Sequence, residues 1–533
     1  MASQKKVAGI DSLIGGLDTF LSETEIDDAS TPDCDNVIPT GKGAIRTRLG
    51  RISHWGEVSA GYSGQGYFTY IKSNNTVEEL AVFNGVLYKR ASATTATQIT
   101  GGTFSTTNRI CGAQIGSRLY FADGITALCY YDGTNIVTTG VASAPLPSFL
   151  IIYNRRIYCN DIANPDRYYF GGAMGSDGTV TNTGNFASGT PSYGGYAGFG
   201  LGKIVQGLSK LGSTTLIVAV KDNIYRIAPL SGTGGTGESP VALNHSEELV
   251  SNSIGFANHA SADNIENDLA FLSWGDIYLL GEVASYTSLR TRIISTKVSN
   301  TISAIASAYL SKTNMIYSPS QKKLYIGYAD GTTYNNKVLV YDTYYKSWWK
   351  YSNWHPAAWL EYVDEGNNSC LLYVSDNPSD SYSYQVNNTS NDAGAAISWY
   401  WKSKVFDMKG FDVLKKFKRW AVRFGSNYGT VTITIYIGGT ANTSTLTLGA
   451  LSGSAGLGCM PLGQAPLGMD DNEFTLETIS NDYRWKKLTR PNEATDIQFK
   501  FSGSGVGEAG QIEKIKIYYS ENPLKKDRDK RVA

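Results

Sequence analysis

The stretch Leu80-Ala81-Val82-Phe83-Asn84-Gly85-Val86-Leu87-Tyr88 decides the fold. Its four apolar residues read as a buried strand. Asn-Gly is a strong hairpin signal because both positions accept positive φ, and Val-Leu-Tyr starts the returning strand. The order of turn, apolar residue and tyrosine then returns along the chain. It stands at Gly116-Ser117-Arg118-Leu119-Tyr120, Asn154-Arg155-Arg156-Ile157-Tyr158 and Asp222-Asn223-Ile224-Tyr225. Three more copies are Gly275-Asp276-Ile277-Tyr278, Gln321-Lys322-Lys323-Leu324-Tyr325 and Ser369-Cys370-Leu371-Leu372-Tyr373. Apolar strands precede them, as at 216–220 and 268–272, and Val338-Leu339-Val340-Tyr341 supplies a further one.

A hairpin cannot bury its apolar face alone, so repeats of this size must stack on one another. Successive tyrosines fall at intervals of roughly 30 to 70 residues, which brackets the ~40–50 of a four-stranded propeller blade. The expectation is an all-β chain: a six- or seven-bladed β-propeller over 61–390, its ring closed by pairing early strands with the last blade. Two β-sandwiches would give similar strand spacing and are the alternative. The widest interval holds a Gly-rich insertion, 171–203, without periodicity, which reads as a long functional or flexible loop at one rim. The repeated tyrosines read as ordinary β packing.

Beyond 390 the pattern changes. Strands at 398–406, 417–424, 430–437, 497–501 and 511–519, interrupted by a Gly, Ser and Pro-rich passage at 449–468, predict a jelly-roll-like β-sandwich over 391–520. A charged tail follows at 521–533, with Lys525, Lys526 and Arg528 as candidate partner contacts. The basic run Lys409, Lys415, Lys416, Lys418 and Arg419, with Phe411, Phe417 and Trp420 between, predicts one charged strand face. That face would be solvated or would meet another subunit.

Composition bounds the partners. The chain has 533 residues, 57 Gly, 35 Tyr and 18% charged residues, a balance that favours short strands and tight turns over helices. Its 47 basic and 47 acidic residues cancel, which argues against a protein that grips DNA by neutralising phosphates. A protein that surrounds passing DNA can be neutral. Cys34, Cys111, Cys129, Cys159, Cys370 and Cys459 lie far apart and make no Cys-x-x-Cys pair, so they read as reduced thiols. The first residues lack the apolar core of a signal peptide, and no apolar run is long enough for a membrane span, so a soluble, non-secreted protein is expected.

Motifs with chemistry fail their context tests. Gly232-Thr233-Gly234-Gly235-Thr236-Gly237 matches a dinucleotide fingerprint by letters, but Glu238-Ser239-Pro240 follows in place of a helix. No Walker loop, His-Glu-x-x-His, calcium loop, Gly-x-Ser-x-Gly elbow or sialidase Asp box occurs. Asp123, Asp132 and Asp330 each precede Gly, and Asp376 precedes Asn377-Pro378, so all four read as turn residues. His54, His245, His259 and His355 are scattered without an orienting partner. Trp348, Trp349 and Trp354 beside His355 read as packing rather than a sugar platform. No enzyme, cofactor or metal site is expected.

The amino-terminal region adds a resemblance. Gly15-Gly16-Leu17 leads to Ile26-Asp27-Asp28-Ala29-Ser30-Thr31-Pro32-Asp33, and Asn36-Val37-Ile38 then reads as a short strand ended by Pro39. Gly41 and Gly43 reverse the chain into Ala44-Ile45-Arg46-Thr47-Arg48, which stops at Gly50. This order of acidic turn, Asn-Val strand, Gly turn and Arg-x-Gly resembles the start of tailed-bacteriophage tail-nozzle and packaged-DNA-stabilization proteins. In that family a propeller follows, and copies form a ring, usually of six, at the portal end of the tail. The resemblance implies a structural virion protein of a short-tailed phage, assembled in the host cytoplasm. It would dock to a portal or adaptor and to a fibre or needle, with transient contact to ejected DNA. Residues 1–60 would be an opening segment whose hairpin (Asn36, Gly41, Gly43, Arg46, Arg48, Gly50) supplies the first strand of the propeller ring. The rival reading is a receptor-binding or fibre-adaptor propeller, with its glycan site on the insertion or near Trp348 to His355.

Overall fold

The computed structural model describes residues 6–522, apart from 59–60, 93–94, 139–144, 176–177, 182, 188–193, 213–214, 230–244, 284–287, 364–367, 409, 411–412, 426–428, 449–474, 477–482, 489–492 and 506–509. The chain divides into two compact units. One comprises 53–340 and 353–386; the other comprises 1–52, 341–352 and 387–533.

The first unit is a β-propeller. Among the described residues seven four-stranded antiparallel sheets follow one another, the first six built in chain order from inner to outer strand. The inner strands are Gly64–Ile71, Cys111–Ile115, Leu150–Tyr153, Val205–Leu211, Ala262–Ile265, Asn314–Ser318 and Pro356–Val363. Each packs on the next, and the seventh packs on the first, so the ring is closed. The seventh blade takes its fourth strand, Arg51–Ser53, from the residues that precede the first blade. That exchange removes the free edge a linear array would leave.

Packing between blades explains why the sequence needs apolar residues on both faces of its middle strands. Leu80, Val82 and Leu87 of blade 1 share a core with Leu119, Phe121 and Tyr131 of blade 2. Phe68 meets Phe121 edge-on at 5.4 Å between centroids. The other faces of the same strands pack backwards: Ala81 and Phe83 join Trp55, Leu372 and Val374 of blade 7. A middle strand buried on two sides therefore reads as an apolar run rather than an alternation.

The seven copies of the repeat correspond to the seven blades, but they occupy two different places. In blades 2, 3, 6 and 7 the tyrosine lies on the second strand (Tyr120, Tyr158, Tyr325, Tyr373), where it is fully buried. In blades 1, 4 and 5 it lies on the third strand (Tyr88, Tyr225, Tyr278) and is half-buried. The uneven intervals come from this change of phase as well as from the insertion.

That insertion is not one loose loop. Gly195–Gly198 forms the fourth strand of blade 3 against Arg167–Phe170. Thr183 and Phe186 are buried, and the Tyr120 hydroxyl bonds the Thr183 hydroxyl at 2.8 Å. Glycine at 171 is required because a Cβ there would sit 2.3 Å from the Thr183 carbonyl oxygen.

The second unit is a two-sheet sandwich, and its composition corrects the expected division. The predicted strands after 390 are present, but neither sheet is built from them alone. Asp33–Asp35 is an edge strand of the six-stranded sheet, paired with Trp399–Lys402. Lys6–Ile10 and the hairpin Val37–Pro39 with Ile45–Thr47 belong to the seven-stranded sheet. The hairpin is therefore correct as a hairpin but is not a propeller strand: Ile45 and Arg46 pair with Ile512 and Gln511. Two three-residue strands cannot stand alone, and Val37, Ala44 and Ile45 are wholly buried against that sheet. Residues 1–60 are thus no separate segment, and the sandwich is not confined to 391–520. Trp420 and Phe499 meet between the two sheets, 6.2 Å apart.

Candidate functional site at the propeller axis

Polar side chains converge where the inner strands begin. Ile110 is fixed by its N–H bond to the Gln65 carbonyl, 2.9 Å, and Arg109 just before it extends across the axis. Its Nη2 donates to the Lys312 carbonyl at 2.7 Å and its Nη1 to that of Thr313 at 3.2 Å, where blade 6 begins. Blades 2 and 6 are thereby tied by one guanidinium.

His259, on the short turn His259–Ser261 before blade 5, completes the bar. Its ring stacks on Phe149 at 4.8 Å and 13°. Nδ1 accepts the Leu208 N–H at 3.3 Å, which places the ring proton on Nε2, 3.5 Å from the Cys111 sulfur. The Cys111 thiol donates in turn to the Leu150 carbonyl at 3.4 Å. Burial pushes His259 down to about 4 and the Cys111 thiol up to about 11. At neutral pH the pair is imidazole and thiol, whereas a nucleophilic cysteine needs its thiolate.

Two cavities share Arg109, Cys111 and His259 in their walls. One of about 500 Å³ lies at the start of the inner strands and is lined also by Asn108, Asn258, Lys312 and Asp376. The other, about 440 Å³, lies farther along and is lined by Lys210, Asp263, Asn314 and Trp359. Burial pushes Asp263 up to about 6, although the Tyr317 and Asn264 N–H groups bond it at 2.7 and 2.8 Å. Burial likewise raises Asp376, whose Oδ2 accepts the Asn335 N–H at 2.7 Å.

Sequence reading placed Asp376 in a turn and did not single out Arg109, Asp263 or the pairing of Cys111 with His259. These residues come from separate blades, so no local spacing brings them together. Asp123 and Asp132 do hold turns. Burial alone would raise Asp123, but the N–H groups of Ile125, Thr126 and Ser105 hold it below the usual carboxylate range. Asp132 accepts the Thr134 and Asn135 N–H groups at 2.8 and 2.9 Å. His54 is bound to Glu79, 2.9 Å away. Trp348, Trp349 and Trp354 are at most 1% exposed, so none offers a stacking face to a sugar. Cys34, Cys129 and Cys159 are buried free thiols, and Cys111 and Cys370 are partly buried ones. No group of three or more His, Cys, Asp or Glu among the described residues could hold a metal ion. None of the helices described is long and apolar enough to cross a membrane. His245's side chain, Cys459, the 232–237 stretch, Lys409, Phe411, Lys525, Lys526 and Arg528 lie outside the described residues.

The opening hairpin carries a second polar centre, within the sandwich unit. Asn36 is wholly buried with φ 56° and donates to the Ser352 hydroxyl and the Ser398 carbonyl. Its side-chain Oδ1 accepts Arg48 Nε at 2.7 Å. Arg48, 1% exposed, forks onto Asp392 at 2.9 and 2.6 Å. Gly50 lies against Asn391, whose oxygen would be 1.9 Å from a Cβ. Gly43 has φ 76°, Gly41 faces open space, and Arg46 is exposed.

The basic strand is only partly a charged face, which corrects one proposed contact. Lys415 is fully buried and donates to the carbonyls of Gly410 and Thr495. Lys416 pairs with Glu493 at 2.9 Å. A bulge between Phe417 and Arg419 turns both Lys418 and Arg419 outward, and Arg419 lies over Tyr518. The bulge breaks the alternation from which one common face was expected.

The architecture is that of a seven-bladed propeller joined to a β-sandwich. No family model and no curated protein matches the chain. Among solved structures it is similar to BBS1N in complex with ARL6DN, at 11% identity and TM-score 0.39, over 64% of this chain and 99% of that one. BamB from Moraxella catarrhalis aligns at 10% identity and TM-score 0.36, over 66% and 93%. The computationally designed Ika8 protein aligns at 7% and 0.33, over 63% and 99%.

Proposed function

We propose that this chain is a structural virion protein of a short-tailed bacteriophage, of the tail-nozzle or DNA-retention type. Copies form a ring around the path of ejected DNA, docked between a portal or adaptor and a fibre or needle. The observation that carries this reading is the role of the stretch that resembles the family. Asn36, Arg48 and Gly50 are buried and held by hydrogen bonds or close backbone packing within the sandwich unit, as expected of a motif that serves architecture rather than chemistry.

The propeller axis adds a constraint. Arg109 and His259 bar it, and its cavities hold about 440 and 500 Å³. Duplex DNA, whose major groove alone is ~12 Å wide, cannot thread one propeller. The DNA path must lie between copies, and balanced charge suits a wall that lets DNA slide. The rival glycan-binding reading loses its aromatic platform through burial of Trp348, Trp349 and Trp354.

Deleting the gene in its phage and examining the particles tests this. The expected result is virions that lack the distal tail and lose packaged DNA, with the chain absent from their protein profile. Intact, infectious particles, or recovery of the chain only as a free cytoplasmic monomer, would overturn it.

A further inference from the structure

We infer that the larger axial cavity is a binding site for a small oxyanion, a phosphate or carboxylate group, held by Arg109. This goes beyond the virion reading and does not depend on it. Arg109 carries five N–H donors, and among the described residues its side-chain hydrogen bonds are the two to the Lys312 and Thr313 carbonyls. Those carbonyls are neutral. The carboxylate acting on the guanidinium is Asp376, which makes no hydrogen bond to it and already accepts the Asn335 N–H. The remaining donors belong to a half-buried cation in the wall of a cavity of about 500 Å³. Lys312, whose Nζ also donates to the Thr333 carbonyl, adds a second positive charge to the lining, where the Asp123 carboxylate is itself occupied by the N–H groups of Ser105, Ile125 and Thr126.

A guanidinium removed from bulk water gains most from a planar, doubly accepting anion. The opening and the volume suit a group of that size on a small molecule. Asp376 acts as the internal competitor: an arriving anion supplies the charge that the carboxylate supplies only from a distance.

The test is calorimetric titration of the full chain with inorganic phosphate and, separately, with citrate, at constant ionic strength. Saturable binding of either anion is expected, and the stronger of the two identifies the preferred class. Arg109→Gln should weaken it at least ~10-fold, the loss of one charge-assisted pair. Asp376→Asn, which can still accept the Asn335 N–H, should tighten it by a few-fold. If the Arg109 variant does not fold, the Asp376 variant decides alone. No saturable binding of either anion, or unchanged affinity in Asp376→Asn, would overturn the inference.

Discussion

The Arg48 guanidinium makes five hydrogen bonds within the described part of the sandwich unit: one to the Asn36 side chain, two to Asp392, and one each to the Leu49 and Ser352 carbonyls. A buried charge so fully paired is costly to break and cheap to replace as a pair. Arg48→Met should cost ~3–5 kcal/mol by urea denaturation, and adding Asp392→Leu should restore part of the loss. Gly50→Ala should be worse tolerated than Gly41→Ala, which meets open space and should stay within ~0.5 kcal/mol of the parent. His259 gives a pH dependence. Its folded value, about 4, lies below the unfolded ~6.5, so the unfolded chain binds more protons between these limits. Its contribution is present above pH ~6.5 and is lost as pH falls towards 4. Asp263, raised to about 6, runs the other way, its contribution fading as pH rises from ~4 to 6. In melting curves between pH 4 and 7, His259→Gln should flatten the acid-side loss and Asp263→Asn should steepen it.

The blade is the scale at which the repeat acquires its meaning. Truncating a second-strand tyrosine removes a ring packed on all sides, so Tyr158→Ala should cost ~3–5 kcal/mol. Tyr88→Ala, on a half-buried third strand, should cost about half as much or less. Ring closure has its own centre at Glu79 of blade 1, 4% exposed. It accepts from Arg90 at 2.8 Å and from Trp55 Nε1 at 3.1 Å, beside His54 at 2.9 Å. Burial works to raise this carboxyl, and its bonds from His54, Arg90 and Trp55 bring it below the usual range. The resulting stability is present at neutral pH and is lost as the carboxyl protonates in acid. Glu79→Gln should therefore lower the neutral-pH melting temperature and remove part of the acid sensitivity. Seven hairpins were legible because each is local: turn chemistry and an apolar run lie within ten residues. The change of phase between blades was not, since strand two and strand three look alike when both are buried on two faces. The axial residues were illegible for a related reason, since Arg109, Phe149, Leu208 and His259 meet only after four blades have closed.

At the scale of the whole molecule, residues 1–60 and 391–520 read as separate pieces because local pattern carries no information on their pairing. Ile45 finds Ile512, and Lys6 finds Tyr519, only across the full length of the chain. The hairpin that carries the family resemblance accordingly completes the sandwich unit instead of opening the propeller. On the proposed virion reading, a barred axis and a balanced charge put the DNA channel between copies. Imaging the assembled protein by electron microscopy, in isolated tails or after reconstitution with its portal-side partner, tests this account most directly. The account predicts a symmetric ring of copies on the tail axis, with a central opening wide enough for duplex DNA and each propeller closed along its own axis. A monomer, or a ring whose opening is too narrow for duplex DNA, would contradict it.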